Sequence, residues 1–163
     1  MSVDMFLEIK GVDGQTQDKE HKGKKLIDIQ GWSFGCSNSG NLHTGTGGSG
    51  KVSYTDIQIN KPMCSASSKL LQHCNTGKVL DSAVIRVRKA IGEKPVEYFT
   101  LNMNSVIVKS LGYGASGGAD GVSESLTLHF KNYELDFVPV DLDKGTAGSK
   151  QQTTWDIATN SAK

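Results

Sequence analysis

Apolar and polar residues alternate along much of the chain, with the period of two that is typical of half-buried β-strands. The alternation begins at residues 3–10, where apolar side chains are interleaved with mostly charged ones. It recurs at residues 57–59 and 83–88. In the strand predicted for residues 27–34 the apolar phase slips at Gly31, which is the usual mark of a bulge or a sharp twist. The pattern therefore predicts several strands connected by polar, glycine-containing turns.

Two later segments are longer and change register partway along. The apolar positions of the first are Phe99, Leu101 and Met103, followed in the opposite phase by Val106 and Val108. Those of the second are Leu126, Leu128 and Phe130, followed by Tyr133, Leu135 and Phe137. A long strand that changes faces midway is expected where it serves both sides of a closed or sandwiched sheet. These segments therefore predict the two central strands of a curled sheet.

The sequence predicts one helix, from about Ser65 to Thr76. Ser65 or Ser67 is the predicted N-terminal cap, and Gly77 is the predicted end. Residues spaced four apart form the apolar face of this helix: Ala66, Leu70 and Cys74. The other face is polar, which indicates a helix on the outside of a β core.

These elements predict a mainly all-β fold: a small antiparallel β-barrel of two wrapped sheets with one flanking α-helix, in a single domain of residues 1–163. A chain of this length buries about two-thirds of its unfolded surface. The hydrophobic share of 36% is low and the 19 glycines are many. We therefore expect further burial through association with other chains.

The charge balance and the N-terminus exclude several classes of protein. With 18 basic and 17 acidic residues, the chain has no strong positive charge for phosphate contacts, so no nucleic-acid partner is expected. The N-terminus lacks a basic start, an apolar run and a cleavage site, and no segment is long and apolar enough for a membrane span. We expect synthesis in the cytoplasm, no membrane insertion, and any export to proceed without a leader.

The residue types that carry chemistry do not form a recognisable set. Cys36, Cys64 and Cys74 are odd in number and without paired spacing, which predicts reduced thiols. Neither these cysteines nor the histidines have metal-ligand spacing, so no metal or cofactor is expected. In the helix, Cys74 is predicted to face the core and His73 the solvent. No nucleophile motif of the G-x-S-x-G type is present.

Charged residues on the predicted strands leave some alternatives open. Glu97 and Glu124 are interpreted as solvated, although the sequence alone does not exclude a catalytic carboxylate pair. Arg86 and Arg88 fall on one face of a strand. They line a channel, meet acidic partners, or are simply solvated.

The glycine-rich loop within residues 38–50 resembles a phosphate-binding loop in part. Gly45 is followed after four residues by Gly50 and Lys51. A phosphate-binding loop needs Ser or Thr next and then a helix, whereas here Val52 and a strand follow. The nucleotide interpretation is therefore disfavoured. It remains as the alternative function: a small β-barrel hydrolase or nucleotide-binding enzyme that uses the Gly45–Lys51 loop, with a soluble monomeric ligand-binding barrel as a third possibility.

Ser33 is the most informative single position. Alternation places Trp32 and Phe34 on the core side of the strand and Ser33 on the opposite side, beside Gly31 and Gly35. A sheet face this bare is able to accept another protein. The alternative is an ordinary solvent-facing serine, and the sequence favours neither.

Six segments, in order over essentially the full chain, resemble the Hcp family, the haemolysin-coregulated proteins of the bacterial type VI secretion system. They are VDMFLEIKGVDG, IDIQGWSFGCSNSG, HTGTGGSGKVSYTDIQINK, VEYFTLNMNSV, ESLTLHF and TTWDI. This resemblance implies a small barrel with one helix alongside. It also implies non-enzymatic subunits that form six-membered rings, which stack head-to-tail into the inner tube of a contractile injector.

The same resemblance implies partners and site residues. The expected partners are other copies of the chain, a spike protein, a contractile sheath and small effector proteins that the ring carries and stabilises before export into the medium or a target cell. Ser33 matches the strand that lines the ring lumen. The loop from Gly40 to Lys51 matches the extended loop that reaches the next ring, which gives a predicted set of stacking residues: Asn41, Leu42, His43, Thr44, Thr46 and Lys51.

Overall fold

The computed structural model describes residues 3–43, 50–91, 94–141 and 143–163, and these form twelve strands and one α-helix. The first six strands are β1 (Val3–Ile9), β2 (Ile27–Asp28), β3 (Gly31–Ser33), β4 (Cys36–Asn38), β5 (Val52–Tyr54) and β6 (Ile57–Pro62). The helix α1 (Ser67–Thr76) follows. The remaining strands are β7 (Leu80–Ile91), β8 (Lys94–Gly114), β9 (Ser123–Phe137), β10 (Val140–Asp141), β11 (Thr146–Ala147) and β12 (Gln151–Asp156). A short 3-10 turn spans Lys22–Lys24.

One antiparallel sheet contains eight of the strands, in the order β2-β1-β7-β8-β9-β6-β3, with β12 paired to β9. The first half of β9 pairs with β6 and the second half with β12. Strands β8 and β9 thus take part in both halves of the curled sheet. This mostly β architecture with a single helix confirms the predicted fold class.

The first and last strands of this order, β2 and β3, are consecutive in the chain. Strand β2 pairs with β1, strand β3 pairs with β6, and only two residues connect β2 to β3. Of these two, Ile29 donates its N–H to Met5 O on β1 at 3.1 Å, and Gln30 donates to Asn60 O on β6 at 2.8 Å. The curled sheet is therefore closed into a barrel. The continuous strand predicted for residues 27–34 is wrong in this respect, because the slip at Gly31 marks the point where the chain changes partners.

The predicted changes of face in the long strands are confirmed. Along β8 the buried positions pass from Met103 to Val106, and between them Ser105 has a positive φ of 53°. Along β9 they pass from Phe130 to Tyr133. Val106 pairs with Phe130, so both changes occur at the same level of the sheet, where it curls from one side of the core to the other.

Helix α1 covers one opening of the core with Ala66 and Leu70, and it ends at Gly77 in the left-handed conformation, as predicted. The predicted serine cap is wrong. Ala66 occupies the N-cap position without a side-chain hydrogen bond. The Ser67 hydroxyl instead accepts a hydrogen bond from Cys64 N, at 3.0 Å, and so fixes the segment that leads into the helix.

The prediction that His73 is solvated is also wrong. His73 is only 7% exposed, whereas Cys74 is partly buried against the core, as expected. Burial lowers the pKa of His73, and the positive charges of Lys78 and Lys69 act in the same direction. His73 is therefore a neutral packing residue at neutral pH.

Candidate functional site

The outer surface of the sheet around Ser33 consists of small uncharged side chains. Ser33 is exposed on β3 and pairs with Gln58 on β6, which in turn lies opposite Thr127 on β9. Ser110 on β8 lies opposite Thr127. Antiparallel partners point to the same side of a sheet, so these four residues form one row across four strands.

A second row runs beside the first and has the same character. Asn60 on β6 lies opposite Ser125 on β9, whose hydroxyl is 3.2 Å from Asn60 Oδ1. The row ends in glycine on both sides, at Gly31 on β3 and Gly112 on β8. We call the two rows the uncharged face; its side chains are Ser33, Gln58, Asn60, Ser110, Ser125 and Thr127.

The uncharged face is held rigid by the core beneath it. The alternate residues on β6 and β9, among them Ile57, Ile59 and Leu128, are completely buried. A surface on such strands keeps its shape when another protein contacts it, unlike a surface on loops.

One end of the uncharged face is bordered by charge. Asp56 Oδ2 lies 2.6 Å from Lys109 Nζ, and Asp56 Oδ1 lies 2.6 Å from His129 Nδ1. Burial opposes ionisation of Asp56, but the hydrogen bonds from Lys109 and His129 outweigh it and lower the pKa of Asp56. The carboxylate is therefore charged at neutral pH and fixes the two surrounding side chains.

Strands β4 and β5 form a separate hairpin that carries the glycine-rich loop. At its outer end, Ser39 N donates to Lys51 O at 3.3 Å and Lys51 N donates to Ser39 Oγ at 3.1 Å. The arms approach so closely at Gly40 and Gly50 that a Cβ on Gly50 would overlap Gly40 N and Asn38 Oδ1. Glycine is required at position 50 for this contact between the two arms.

The predicted stacking residues that the structure describes are all exposed. Leu42 is 84% exposed, which is unusual for a large apolar side chain. His43 donates its backbone N–H to Asn41 Oδ1 at 2.8 Å. Lys51 is exposed at the other arm. Thr44 and Thr46 lie outside the described residues, as does Gly45.

Aromatic packing anchors the base of the hairpin to the barrel. Phe34 stacks on Tyr54 of β5 at 6.0 Å and contacts Phe130 and Tyr133 of β9. The hydroxyls of Tyr54 and Tyr133 lie 3.3 Å apart. Burial raises the pKa of Tyr133, and the Tyr54 hydroxyl adds to this effect. The hairpin therefore projects from a firm base, while its outer end contacts solvent.

The opposite part of the sheet, around β1 and β7, is charged but neutralised within the chain. Arg86 lies 2.9 Å from Glu8 and 3.0 Å from Glu97. Burial disfavours the Arg86 cation, but these carboxylates outweigh that effect and raise its pKa. Arg86 is thus paired within its own chain, an arrangement that was not among the alternatives left open by the sequence. Glu97 is partly exposed on the strand face, as interpreted from the sequence, and it is also paired with Arg86.

Arg88 fastens the loop between β1 and β2 onto the sheet. Its guanidinium contacts Asp4, Asp18 and Glu20, and its side chain is only 7% exposed. It also lies 4.9 Å from the centre of the Phe6 ring. The hydrogen bond to Arg88 is the main reason that the pKa of Asp18 is lowered.

A buried ion pair joins β6 to β9 beneath α1. Lys61 Nζ lies 3.1 Å from Glu124 Oε1, and both side chains are 0% exposed. The interpretation of Glu124 as a solvated charge is therefore wrong. The sequence contains the signal for both residues, because Lys61 is in phase with the buried Ile59 and Glu124 with the buried Leu126.

The carboxylate pair that the sequence left open is not brought together in the structure. Glu97 and Glu124 lie near opposite ends of the β8–β9 pair, since Glu97 is near the start of β8 and Glu124 lies opposite Tyr113 near its end. No group of three or more His, Cys, Asp or Glu side chains in the described ranges could hold a metal ion. What the surface offers is an uncharged sheet face and a projecting hairpin.

Comparison with known proteins identifies the fold and its role. A family model described as "Type VI secretion system effector, Hcp" matches residues 6–137. This chain belongs to the Hcp family. It is 37% identical to protein Hcp1 of Pseudomonas aeruginosa over 161 residues, which cover 98% of both chains.

Solved structures agree with this assignment. The chain superimposes on a type six secretion system protein with a TM-score of 0.90 and 28% identity, covering 99% of this chain and 100% of the other. It also superimposes on Hcp1 from Salmonella typhimurium, with a TM-score of 0.81, 27% identity and full coverage of both chains. The predicted resemblance is confirmed over the whole chain.

Membership of the family decides between the broad classes of function left open by the sequence. This Hcp is a type VI secretion protein with a structural role, and the hydrolase or nucleotide-binding alternative is not supported. Within the described ranges, none of the helical structure has the length and apolar character needed to cross a lipid bilayer.

Proposed function

We propose that this Hcp is the subunit of the inner tube of a type VI secretion system. Copies of the chain form six-membered rings, the rings stack head-to-tail, and the uncharged face lines the lumen, where effector proteins bind before export. The spike protein and the contractile sheath are the other expected partners. The observation that carries this proposal is the uncharged face itself, a rigid surface without charged side chains on a protein of a secretion family.

The composition of the uncharged face suits a lumen that carries proteins. A strongly charged lining would retain oppositely charged proteins and repel others, because charges in a confined space create large potentials. Serine, threonine, asparagine and glutamine offer hydrogen bonds of modest strength instead. Contacts of this kind hold an effector during transit and release it afterwards.

The projecting hairpin suits a contact between stacked rings. Full burial of a leucine side chain stabilises a complex by roughly 1.5–3 kcal/mol, and Leu42 is 84% exposed in the single chain. Its sequence neighbours Asn41 and His43 are exposed polar residues, and Lys51 is exposed on the other arm of the hairpin. An apolar side chain within a polar rim is the arrangement expected at the centre of a small protein contact.

The test replaces Ser33 by arginine, which introduces bulk and charge on the β3 side of the uncharged face. Because Ser33 is exposed and makes no core contact, we expect rings to form as in the wild type while the amount of co-purified effector falls. Ser68→Arg, on the exposed side of α1, is the matched control and should leave effector levels unchanged. Equal effector retention by the Ser33 variant and the wild type would count against this assignment of the lumen.

A further inference from the structure

The buried Lys61 amine touches a cysteine sulfur. Lys61 Nζ lies 3.3 Å from Cys64 Sγ, 3.1 Å from Pro62 O and 3.3 Å from Ser67 Oγ. Together with Glu124 Oε1 at 3.1 Å, these groups fix the position of the nitrogen next to the sulfur. None of these contacts belongs to the uncharged face or to the hairpin, and the proposed function makes no use of them.

We propose that Cys64 and Lys61 form a covalent modification site, in which oxidation of the thiol by peroxide is followed by a bond between Sγ and Nζ. Cys64 is a free and partly exposed cysteine, and the reaction starts when a small oxidant reaches its sulfur. Lys61 is completely buried, so its amine meets this sulfur before any reagent from solvent. The proposal does not depend on ring assembly.

The first step is a two-electron oxidation of sulfur. The Cys64 thiol reacts with hydrogen peroxide to give a sulfenic acid and water, so the sulfur is oxidised and the peroxide is reduced. Sulfenic acids are reversible products that condense with thiols or with nitrogen nucleophiles, the latter giving a sulfenamide. Because the Lys61 nitrogen is already in contact with Sγ, the intramolecular reaction is favoured by proximity.

The second step is a condensation that needs no further oxidant. Glu124 takes one proton from the Lys61 ammonium group, and the nitrogen lone pair then attacks Sγ while the S–O bond breaks. The departing hydroxide takes the proton from Glu124 and leaves as water. The nitrogen then gives its second proton to the Glu124 carboxylate, 3.1 Å away in the unmodified protein, which leaves a neutral Sγ–Nζ sulfenamide.

The modification changes the charge of the buried cluster. Linked Lys61 no longer carries a positive charge, and the Glu124 carboxyl group holds the second proton from the nitrogen, so the cluster contains no unpaired buried anion. The bond also ties β6 directly to the segment that begins α1. Oxidation of Cys64 would thus alter the packing between α1 and the sheet.

Mass spectrometry of the intact, folded protein after peroxide treatment tests the proposal. Trypsin cuts after Lys51 and Lys69 but not between Lys61 and Pro62, so one peptide, residues 52–69, contains both partners. We expect this peptide to lose the mass of two hydrogens, to yield no fragment ions from cleavage between residues 61 and 64, and to regain its original mass with dithiothreitol. A Met63→Leu background removes the exposed methionine, which would otherwise gain oxygen.

Cys64→Ser is the control variant, since it keeps a small polar side chain at this position and removes the sulfur. Its peptide should show no loss of hydrogen. Cys36, exposed on β4, reports whether the oxidant was active. The proposal is overturned if Cys36 is oxidised while Cys64 stays a thiol, if Cys64 gains oxygen with Lys61 unlinked, or if Cys64 forms a disulfide.

Discussion

At the scale of single residues, the buried Lys61–Glu124 pair contributes to stability only while both partners are present. Their side chains face each other across β6 and β9 and have no access to solvent. Removing one partner leaves an uncompensated charge in the interior. Replacing both with apolar side chains removes the desolvation cost as well as the attraction.

We therefore expect Lys61→Met or Glu124→Leu alone to lower the free energy of unfolding by about 3–5 kcal/mol. The double variant should lie much closer to the wild type. Urea denaturation of the four proteins measures the coupling between the two positions. A double variant that loses the sum of the two single effects would show that the charges act independently and that the pair is not a unit.

The Arg88 cluster predicts a dependence of stability on acidity. The pKa of Asp18 in the folded protein lies below its ordinary value of 3.8, chiefly because of the hydrogen bond to Arg88. The stabilisation by this carboxylate is therefore fully present above 3.8 and is lost as the pH falls through the folded-state pKa. Asp18→Asn removes it at every pH.

Melting temperatures of the wild type and Asp18→Asn, measured as a function of pH, test this prediction. The wild type should be the more stable at neutral pH, and the difference should shrink and disappear as the pH falls below 3.8. Asp120→Asn serves as the comparison at an exposed position of the loop before β9. A difference between wild type and Asp18→Asn that persists unchanged into strong acid would refute the proposed role of the carboxylate.

Single residues also show where prediction from sequence stops. The outward position of Ser33 follows from strand alternation alone, and the exposed position found for it agrees. Arg88 lies on the same face of β7 as Arg86, as predicted, but Asp18 of a distant loop contacts it, and no local sequence pattern encodes this contact. The uncharged face depends on which strands are neighbours, so Gln58 and Thr127 were not recognisable as partners of Ser33.

At the scale of elements, the β4–β5 hairpin leads to an exposed apolar residue, Leu42, which is expected to become buried when another chain binds. Its base is fixed by the Phe34–Tyr54 stack, and its arms are joined at Ser39 and Lys51. Leu42 projects beyond these contacts. We expect Leu42→Asn to leave the melting temperature and ring formation unchanged and to reduce the stacking of rings into tubes, because only the contact between rings would lose apolar burial.

Sedimentation and electron micrographs under conditions that favour tubes measure this effect. Leu71→Asn, which changes an exposed leucine on α1, is the matched control and should stack normally. Lys51→Ala should behave like Leu42→Asn, with unaltered stability and weaker stacking. Tubes of normal length from both hairpin variants would exclude this hairpin from the contact between rings.

Elements with a strong internal period were predictable, and those defined by their partners were not. The changes of face in β8 and β9 are visible in the sequence, because burial on one side of a strand imposes the period of two. The division of residues 27–34 between two strands is not, since it arises when the chain passes from β1 to β6 at Ile29 and Gln30. Local alternation carries no information on which neighbour accepts a hydrogen bond.

At the scale of the whole molecule, the distribution of charge divides the barrel into two parts. Around β1 and β7 the arginines are neutralised by carboxylates of the same chain. Around β3 and β6 the outer surface carries small uncharged side chains. A subunit with two such different sides is suited to a ring, in which one side faces the lumen and the other does not.

The central claim is that this Hcp acts by assembling with copies of itself around an open channel. Native mass spectrometry of the purified protein, combined with electron micrographs of the same sample, tests it most directly. The account predicts a particle with six times the 17.5 kDa mass of the chain, seen as a ring with an open centre. A particle that stays monomeric at every concentration, without rings in the micrographs, would contradict it.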